Sequence, residues 1–311
     1  MWSPMKGGMG TAILPPPVEP GDLVAVAAPS SPFDHRQLER GIAVIREMGF
    51  EVWTPSVTFS RAGYLAGSDD DRAAALTRLF REPGVRAILC ARGGYGAMRT
   101  AARFDYAAAE NHPKRFVGFS DLTAMLWSLR ARSGLVTFHG PVVTTLADAP
   151  AASREAFRRS LTARSVADCP GLAGTALRRG RAVGTLLGGN LTTLCHLLAT
   201  PLAPVLEGSI LFLEDRGEAP YRIDRMLTQM LLSGVLDGVV GVALGGFTEC
   251  GPVDRVHEIV TAVFSDPPVP VLGDLEAGHG PENRTFPLGA TARLDADAGV
   301  LSFLASDKAP W

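Results

Sequence analysis

Short apolar runs alternate along the first half of the chain with stretches in which apolar residues recur every three or four positions. The first pattern is typical of buried strands and the second of amphipathic helices. The predicted strands cover residues 23–28, 51–53, 85–91 and 115–119, and the predicted helices cover residues 33–48 and 69–80. Strands that alternate with helices predict an α/β domain with a doubly wound parallel sheet, whose ligand crevice lies beyond the carboxyl ends of the strands.

The pattern weakens between residues 150 and 181, where small residues dominate. Beyond this region, strands are predicted at 209–213 and 239–244, helices after Asn190 and at 221–232 and 256–264, and a hairpin at 291–304. A chain of 311 residues suits two domains. We therefore expect an N-terminal α/β domain at 13–150, a connection at 151–181 and a C-terminal domain at 182–311, preceded by a disordered segment at 1–12.

The composition argues against several classes of function. The formal net charge is −2 and 46% of the residues are hydrophobic, which gives no reason to expect a nucleic acid or an anionic membrane as partner. The chain has no apolar run long enough to span a membrane and no signal peptide pattern, so we expect a cytoplasmic protein. The four cysteines are far apart and form no CxxC pair, which indicates buried free thiols rather than a zinc site or disulfides.

The turn Gly118-Phe119-Ser120-Asp121-Leu122-Thr123 joins the strand predicted at 115–119 to an apolar helix. A serine at such a turn exposes its hydroxyl at the end of the sheet, where free backbone N–H groups and the helix N-terminus stabilise negative charge. Ser-Asp is also a common helix cap. The turn alone therefore leaves two interpretations open, a nucleophile and a cap.

The loop Arg92-Gly93-Gly94-Tyr95-Gly96 follows the neighbouring strand and should face the same crevice. Its glycines permit close approach of the backbone to a ligand and expose N–H groups. The loop matches neither the dinucleotide-binding motif nor the P-loop motif, so we expect no nucleotide cofactor.

A serine nucleophile needs a base that is oriented by a carboxylate. His279 lies in an irregular loop between two glycines, a setting that often presents catalytic groups but also suits a surface histidine. Glu214 ends a wholly apolar strand, where it is either the orienting acid or a strand end in water. Among the other histidines, His139 lines the crevice or braces a turn, and His196, within an apolar helix, is expected in the core or at an interface.

Together, these motifs resemble the LD-carboxypeptidases of peptidase family S66, which include muramoyltetrapeptide carboxypeptidases and microcin C self-immunity proteins. The shared motifs occur in one order over nearly the whole chain, which makes the resemblance specific. They are Pro20-Gly21-Asp22, Ala28-Pro29-Ser30, the loop 92–96, the turn 118–123, His139-Gly140-Pro141, Gly188-Gly189-Asn190-Leu191, Glu214-Asp215, Tyr221-Arg222-Ile223-Asp224-Arg225, Gly278-His279, Asn283 and Pro287-Leu288-Gly289.

The resemblance implies that Ser120 is the nucleophile, His279 the general base and Glu214 its orienting acid. It also implies a flavodoxin-like α/β domain followed by a smaller, β-rich α/β domain, with the nucleophile in the first and both partners in the second. The active site would then form only where the two domains dock, often within a homodimer. Neither a metal nor another cofactor is expected.

The backbone N–H groups of Gly94 and Asp121 are expected to stabilise the oxyanion of an acyl-transfer reaction. A carboxypeptidase must also recognise a terminal carboxylate, for which an arginine fork is well suited. Arg92 is the first choice for this role and Arg284 the second. The predicted substrate-binding residues are Arg92, Tyr95, Asn190 and Arg284.

The expected activity is removal of the terminal D-alanine from cytoplasmic murein tetrapeptides during cell-wall recycling. The alternative within the family is hydrolysis of an aminoacyl-nucleotide or acyl-sulfamoyl adenosine amide, for which immunity proteins stack the nucleobase on an aromatic group before the Glu strand. Residues 165–207 contain no Trp, Tyr or Phe, which favours the peptidase. A non-catalytic module that binds wall peptides is a further alternative, against which the complete set of Ser, Glu and His argues.

Overall fold

The computed structural model of the chain describes residues 10–305, which form two β-sheets flanked by helices. The strands are β1 (Leu23–Ala27), β2 (Glu51–Trp53), β3 (Val85–Cys90), β4 (Arg115–Gly118), β5 (Thr137–His139), β6 (Leu172–Ala173), β7 (Thr175–Arg178), β8 (Arg181–Asn190), β9 (Ser209–Arg216), β10 (Gly241–Thr248), β11 (Val271–Gly273), β12 (Phe286–Leu288), β13 (Thr291–Asp295) and β14 (Val300–Phe303). The α-helices are α1 (His35–Glu47), α2 (Asp69–Arg81), α3 (Ala97–Ala101), α4 (Tyr106–Asn111), α5 (Thr123–Ser133), α6 (Val143–Leu146), α7 (Ala151–Thr162), α8 (Leu191–Leu197), α9 (Pro220–Leu232) and α10 (Val253–Val263). Short 3-10 helices lie at Ser56–Phe59, Ser120–Leu122 and Val166–Asp168.

The first sheet has the strand order β12-β5-β4-β3-β1-β2, and all its neighbouring strands are parallel except the antiparallel pair of β12 and β5. The central strand β4 is buried along its whole length, as is usual for a parallel sheet with helices on both faces. The loop 91–96 follows β3 and the Ser120 turn follows β4, so both open at the carboxyl edge of the sheet. The predicted doubly wound parallel sheet is therefore confirmed.

The second sheet has the order β6-β14-β13-β8-β9-β10-β11-β7, with the parallel strands β8 to β11 at its centre and antiparallel strands on both sides. At the end of β8, the backbone approaches its neighbours very closely. A Cβ on Gly188 would lie 1.9 Å from the carbonyl oxygen of Phe212, and one on Gly189 would lie 2.4 Å from Thr123 Oγ1. These glycines therefore permit β8 to pack closely against both β9 and α5.

The two sheets are joined by strand β12, which comes from the C-terminal part of the chain but pairs with β5 of the first sheet. Phe286 of β12 stacks on His139 and makes an edge contact with Phe212 of β9, each with ring centroids 5.0 Å apart. Trp127 of α5 donates a hydrogen bond to the carbonyl oxygen of Leu202 at 2.9 Å. The segment that connects β11 to β12, which contains His279, is therefore held between the two sheets.

Helix α7 is the main element that the sequence pattern missed, since residues 151–181 were expected to form only a connection. The helix buries Phe157 and Leu161, but the rest of its buried face consists of Ser153, Ala156 and Ser160. Small residues of this kind produce only a weak hydrophobic periodicity. The helix is fixed by the buried guanidinium of Arg115, which donates to the Ser160 and Ala163 carbonyls at 2.7 and 2.6 Å.

Other predictions were tested by the described residues. The terminal hairpin is confirmed, because β13 pairs antiparallel with β14, and the four cysteines are buried and free. Of the predicted disordered segment, residues 1–9 lie outside the described residues, while the carbonyl of Gly10 accepts a hydrogen bond from Arg130 at 3.1 Å. The boundaries at 13–150, 151–181 and 182–311 remain a prediction. Strand β12 lies within the predicted C-terminal domain but pairs with β5 of the first sheet, so the sheets do not follow these boundaries.

Candidate active site

Ser120 has a backbone conformation that non-glycine residues rarely adopt. Its φ is 66°, at the point where β4 ends and the 3-10 helix Ser120–Leu122 begins. A positive φ at such a sharp turn lifts the side chain out of the sheet, as in the nucleophile elbow of α/β-hydrolases, and its strain is typical of functional sites. The turn is tight, because a Cβ on Gly118 would lie 2.6 Å from Leu122 and one on Gly93 would lie 3.1 Å from the Ser120 Cβ.

His279 connects Ser120 to Glu214 by hydrogen bonds. Its Nε2 lies 3.1 Å from Ser120 Oγ, and its Nδ1 lies 2.6 Å from Glu214 Oε2. The ring also packs against Phe119, with centroids 4.9 Å apart. A serine, an imidazole and a carboxylate in this order have the geometry of an activated nucleophile with its base and orienting acid.

Glu214 is fully buried, and burial raises the pKa of its carboxyl, while the hydrogen bond to His279 acts in the opposite direction. Its Oε1 accepts no hydrogen bond from any described residue, so the contact with His279 is the main compensation for its desolvation. Gly278 makes this contact possible. Its φ is 103°, and a Cβ at this position would lie 2.6 Å from Glu214 Oε2.

The two predicted oxyanion residues, Gly94 and Asp121, both line the crevice beside Ser120. Gly94 has a φ of 107°, and a Cβ on it would lie 2.5 Å from Ser31 Oγ, so the loop leaves no room for a side chain here. Asp121 is anchored through its side chain, which accepts hydrogen bonds from Ser30 Oγ and, at 2.8 Å, from the Ala97 N–H. Both backbone positions are therefore fixed next to the serine.

The crevice has a volume of about 800 Å³, within the range of small-molecule sites. Tyr95 and Asn190 both line it, and their role in substrate binding stays a prediction. The amide of Asn190 is already engaged, however, because it donates to Asp215 Oδ1 at 2.9 Å and caps α8 by accepting from the Thr193 N–H at 2.9 Å. Tyr95 is exposed, and its ring lies 5.8 Å from that of Tyr64.

The structure does not bring the two predicted carboxylate-binding arginines to the crevice. Arg92 is exposed and donates to the carbonyl oxygen of Pro32 at 2.9 Å. Arg284 forms an ion pair with Glu276 at 2.6 Å. Neither lines the crevice. Both side chains have acceptors outside the crevice, so its geometry gives the choice of Arg92, with Arg284 behind it, no support, and that choice stays a prediction.

Arg216 is the arginine that does line the crevice, together with Glu218, Glu249 and His196. The strand alternation could have identified Arg216, because residues two apart on a strand share a face and Arg216 follows Glu214 on β9. Of the two interpretations of His196, the core position is wrong, and a position at an interface with another chain stays a prediction. His196 is exposed, because it lies on the crevice side of α8.

The described residues 10–305 contain no group of three or more His, Cys, Asp or Glu side chains arranged to hold a metal ion. Within the same residues, no helix is long and apolar enough to cross a membrane.

Two family models match the chain. The model of the N-terminal domain of LD-carboxypeptidases matches residues 24–140, and the model of their C-terminal domain matches residues 183–294. The first matched segment contains Ser120, and the second contains Glu214 and His279.

Individual proteins are similar to the chain over nearly its full length. A Synechocystis protein named only as a carboxypeptidase is 42% identical over 93% of this chain and 97% of its own length. The murein tetrapeptide carboxypeptidase of Pseudomonas aeruginosa is 34% identical over 88% of this chain and 93% of its own. A solved structure of the microcin C7 self-immunity protein in complex with aspartyl sulfamoyl adenosine is 25% identical, with a TM-score of 0.85 over 96% of this chain and all of that chain.

Proposed function

The chain belongs to the LD-carboxypeptidase family, peptidase family S66, and on this premise we propose that it is a serine carboxypeptidase that removes the terminal D-alanine from murein tetrapeptides. The observation that carries the proposal is the hydrogen-bonded series Ser120, His279 and Glu214 at the floor of the crevice. The proposed substrate follows the name of the Pseudomonas relative.

In the proposed mechanism, Ser120 Oγ attacks the carbonyl carbon of the bond between the third residue and D-alanine. His279 Nε2 takes the hydroxyl proton, and Glu214 holds Nδ1–H so that the ring presents its unprotonated nitrogen to the serine. The proton then passes from His279 to the leaving amine of D-alanine. Water attacks the resulting ester with His279 as base and releases the tripeptide.

The N–H groups of Gly94 and Asp121 are the proposed donors to the oxyanion of the tetrahedral intermediate. Both residues line the crevice with Ser120, and Asp121 lies in the first turn after it, where the N–H groups of a helix start point outward. One well-placed donor of this kind contributes about 3 kcal/mol to the barrier reduction.

A second candidate is hydrolysis of an aminoacyl-nucleotide or acyl-sulfamoyl adenosine amide by the same three residues. The solved relative that carries aspartyl sulfamoyl adenosine supports it. The exposed ring of Tyr95 lines the crevice, and the exposed ring of Tyr64 lies 5.8 Å from it, so the two offer an aromatic surface that residues 165–207 lack. Stacking on such rings does not distinguish among bases, since every base has a π-face.

A non-catalytic module for wall peptides is the weakest candidate, because binding alone does not require a serine, a histidine and a buried carboxylate in mutual contact. We also propose that the protein is cytoplasmic and, from the family resemblance, that it forms a homodimer.

The test is incubation with L-Ala-D-Glu-meso-diaminopimelate-D-Ala and, separately, with an aminoacyl sulfamoyl adenosine. We expect release of free D-alanine from the peptide, and a loss of about 10⁴-fold or more in kcat with Ser120→Ala, because no other group replaces the nucleophile. D-Alanine release that survives Ser120→Ala would refute the mechanism. Turnover of the adenosine analogue alone would instead support the second candidate.

A further inference from the structure

Apart from Asp215, whose carboxylate accepts hydrogen bonds from Asn190 and Thr192, the crevice is lined by three charged side chains that the proposed mechanism does not use. These residues, Arg216, Glu218 and Glu249, line the same crevice as Ser120 and His279 and are called the wall cluster below. Arg216 is the only lysine or arginine among the described residues that line it. Any charged group of a substrate held beside Ser120 therefore meets this cluster.

The fold places the wall cluster close to the catalytic residues. Arg216 lies two positions after Glu214 on β9, so the two side chains leave the same face of the strand about 7 Å apart. In the neighbouring strand β10, Thr248 is opposite Arg216. Glu249 follows it with a φ of 58°, and its carboxylate accepts from Arg216 Nη2 at 2.8 Å and from Nε at 3.2 Å.

This ion pair leaves hydrogen-bonding capacity open to the crevice. Glu249 occupies the Nε and Nη2 side of the guanidinium, and Arg216 Nη1 donates to no acceptor within residues 10–305. The side chains of Arg216 and Glu249 are 54% and 61% exposed, so both remain accessible to a ligand. Glu218 lies 3.5 Å from Arg222 at the start of α9 and directs a second carboxylate to the crevice.

The charges of the wall cluster select the chemistry of the group that it fits. Glu249 pairs with Arg216 and Glu218 faces Arg222, so the cluster presents both signs of charge, and a lone carboxylate bound to Arg216 would lie beside Glu249 and be repelled by it. A group that carries an ammonium and a carboxylate on the same carbon matches both signs. Its carboxylate faces the free side of Arg216, and its ammonium faces Glu249 and Glu218.

We propose that the wall cluster is a specificity site for a zwitterionic amino-acid group on the side chain of the residue that supplies the scissile carbonyl. This inference rests on the proposed carboxypeptidase activity. In a tetrapeptide with meso-diaminopimelate at the third position, that side chain ends in such a group. Arg216 would bind its carboxylate, and Glu249 and Glu218 its ammonium.

The first test uses the wild-type protein with tetrapeptides that differ only at the third residue. The third residue is meso-diaminopimelate, its ε-amidated form, L-lysine or L-norleucine. Amidation removes the charge of the side-chain carboxylate, lysine has only the ammonium, and norleucine has neither group. We expect kcat/KM to fall about fivefold on amidation and again about fivefold from lysine to norleucine, as expected for half-exposed ion pairs. Cleavage of all four peptides at rates within twofold would overturn the inference.

The second test separates the two charges by substitution. With Arg216→Gln, we expect the kcat/KM for the diaminopimelate peptide to approach that for the amidated peptide, while kcat/KM for the lysine peptide still exceeds that for the norleucine peptide. The double variant Glu218→Gln/Glu249→Gln should lose the preference for the lysine peptide over the norleucine peptide and keep the preference for the diaminopimelate peptide over its amidated form. Arg255 and Glu258 form a similar exposed pair on α10, outside the crevice, so Arg255→Gln and Glu258→Gln are matched controls that should leave both ratios unchanged.

A further peptide that ends in D-alaninamide tests whether Arg216 instead binds the terminal carboxylate of the substrate. If Arg216→Gln abolishes discrimination against D-alaninamide and leaves the third-residue ratios intact, Arg216 binds the terminal carboxylate and the inference is wrong. If the wild-type protein releases D-alanine from none of the peptides, the proposed function fails instead.

Discussion

At the floor of the crevice, Glu214 is fully buried and the His279 side chain is only 15% exposed, whereas Arg216 and Glu249 on the wall are more than half exposed. Both places contain a short, charge-assisted contact to a glutamate. The same contact has different consequences, because electrostatic interactions are strong where water is excluded and weak where it has access. The floor is suited to catalysis, and the wall to discrimination among substrates.

The backbone shows the same difference. At the floor, Ser120 has a positive φ, and Gly278 and Gly93 leave no space for a side chain, so the reacting atoms are tightly confined. At the wall, long side chains reach into open solvent and can adjust to a ligand. Substitutions at the floor should therefore change the rate by orders of magnitude, and those at the wall by small factors.

The largest effect is expected from Glu214→Gln. An amide at this buried position can donate to His279 Nδ1 and so stabilise the tautomer that cannot accept the serine proton. We expect kcat to fall by about 10⁴, as for the analogous change in serine proteases. Single-turnover release of D-alanine is the measurement, with thermal unfolding to establish that the variant is folded. A loss of less than tenfold would remove Glu214 from the mechanism.

An intermediate effect is expected at His139, which lies under the floor between Phe119, Phe212 and Phe286. Burial lowers the pKa of this imidazole to about 3. The imidazole takes up a proton near pH 6.5 in the unfolded chain but not in the folded chain. Neutral His139 therefore contributes fully to the free energy of unfolding above pH 6.5, and this contribution is lost as the pH falls toward 3. At pH 5 the loss amounts to about 2 kcal/mol.

The measurement is urea unfolding at pH 8 and pH 5 for the wild-type protein and for His139→Phe. The variant should lose about 2 kcal/mol less between the two pH values than the wild-type protein does. His112→Gln, at an exposed histidine, is the control and should retain the full dependence. An unchanged pH dependence in His139→Phe would show that His139 is not buried in its neutral form.

The smallest effect is expected from Arg92→Ala. Arg92 is exposed, donates to Pro32 and lies outside the crevice. Loss of one exposed hydrogen bond should change kcat/KM for the tetrapeptide by less than about twofold. A tenfold rise in KM with unchanged kcat would restore Arg92 as a binding residue and would show that the substrate extends beyond the wall.

Much of this arrangement was predictable from local patterns. The alternation of strands and helices predicted the parallel sheet, and the turn at 118–123 together with the loop at 92–96 predicted which edge carries the site. Helix α7 was missed because its buried face is made of Ser153, Ala156 and Ser160, which give little periodicity. His196 was expected in the core or at an interface, because the apolar residues around it do not reveal which side of α8 faces the crevice.

The arginine that lines the crevice, Arg216, was not among the predicted residues, for a different reason. Arg92 occupies a shared motif, and its position in the loop is correct, but its side chain turns to the Pro32 carbonyl. Rotamer choice depends on the acceptors that the fold places nearby, and these come from distant parts of the chain.

Most elements of this protein follow from its sequence, because periodicity, turn residues and glycine positions act over a few neighbouring residues, and helix α7 is the main exception. The residues alone supplied Ser120, Glu214 and His279 as three separate candidates, and the family resemblance implied that they act together. Their hydrogen-bonded geometry depends on long-range packing, since strand β12 crosses from one half of the chain to the sheet of the other and holds the His279 segment in between. The pairing of Arg216 with Glu249 was decided in the same way, by the register of two strands whose order no local pattern specifies.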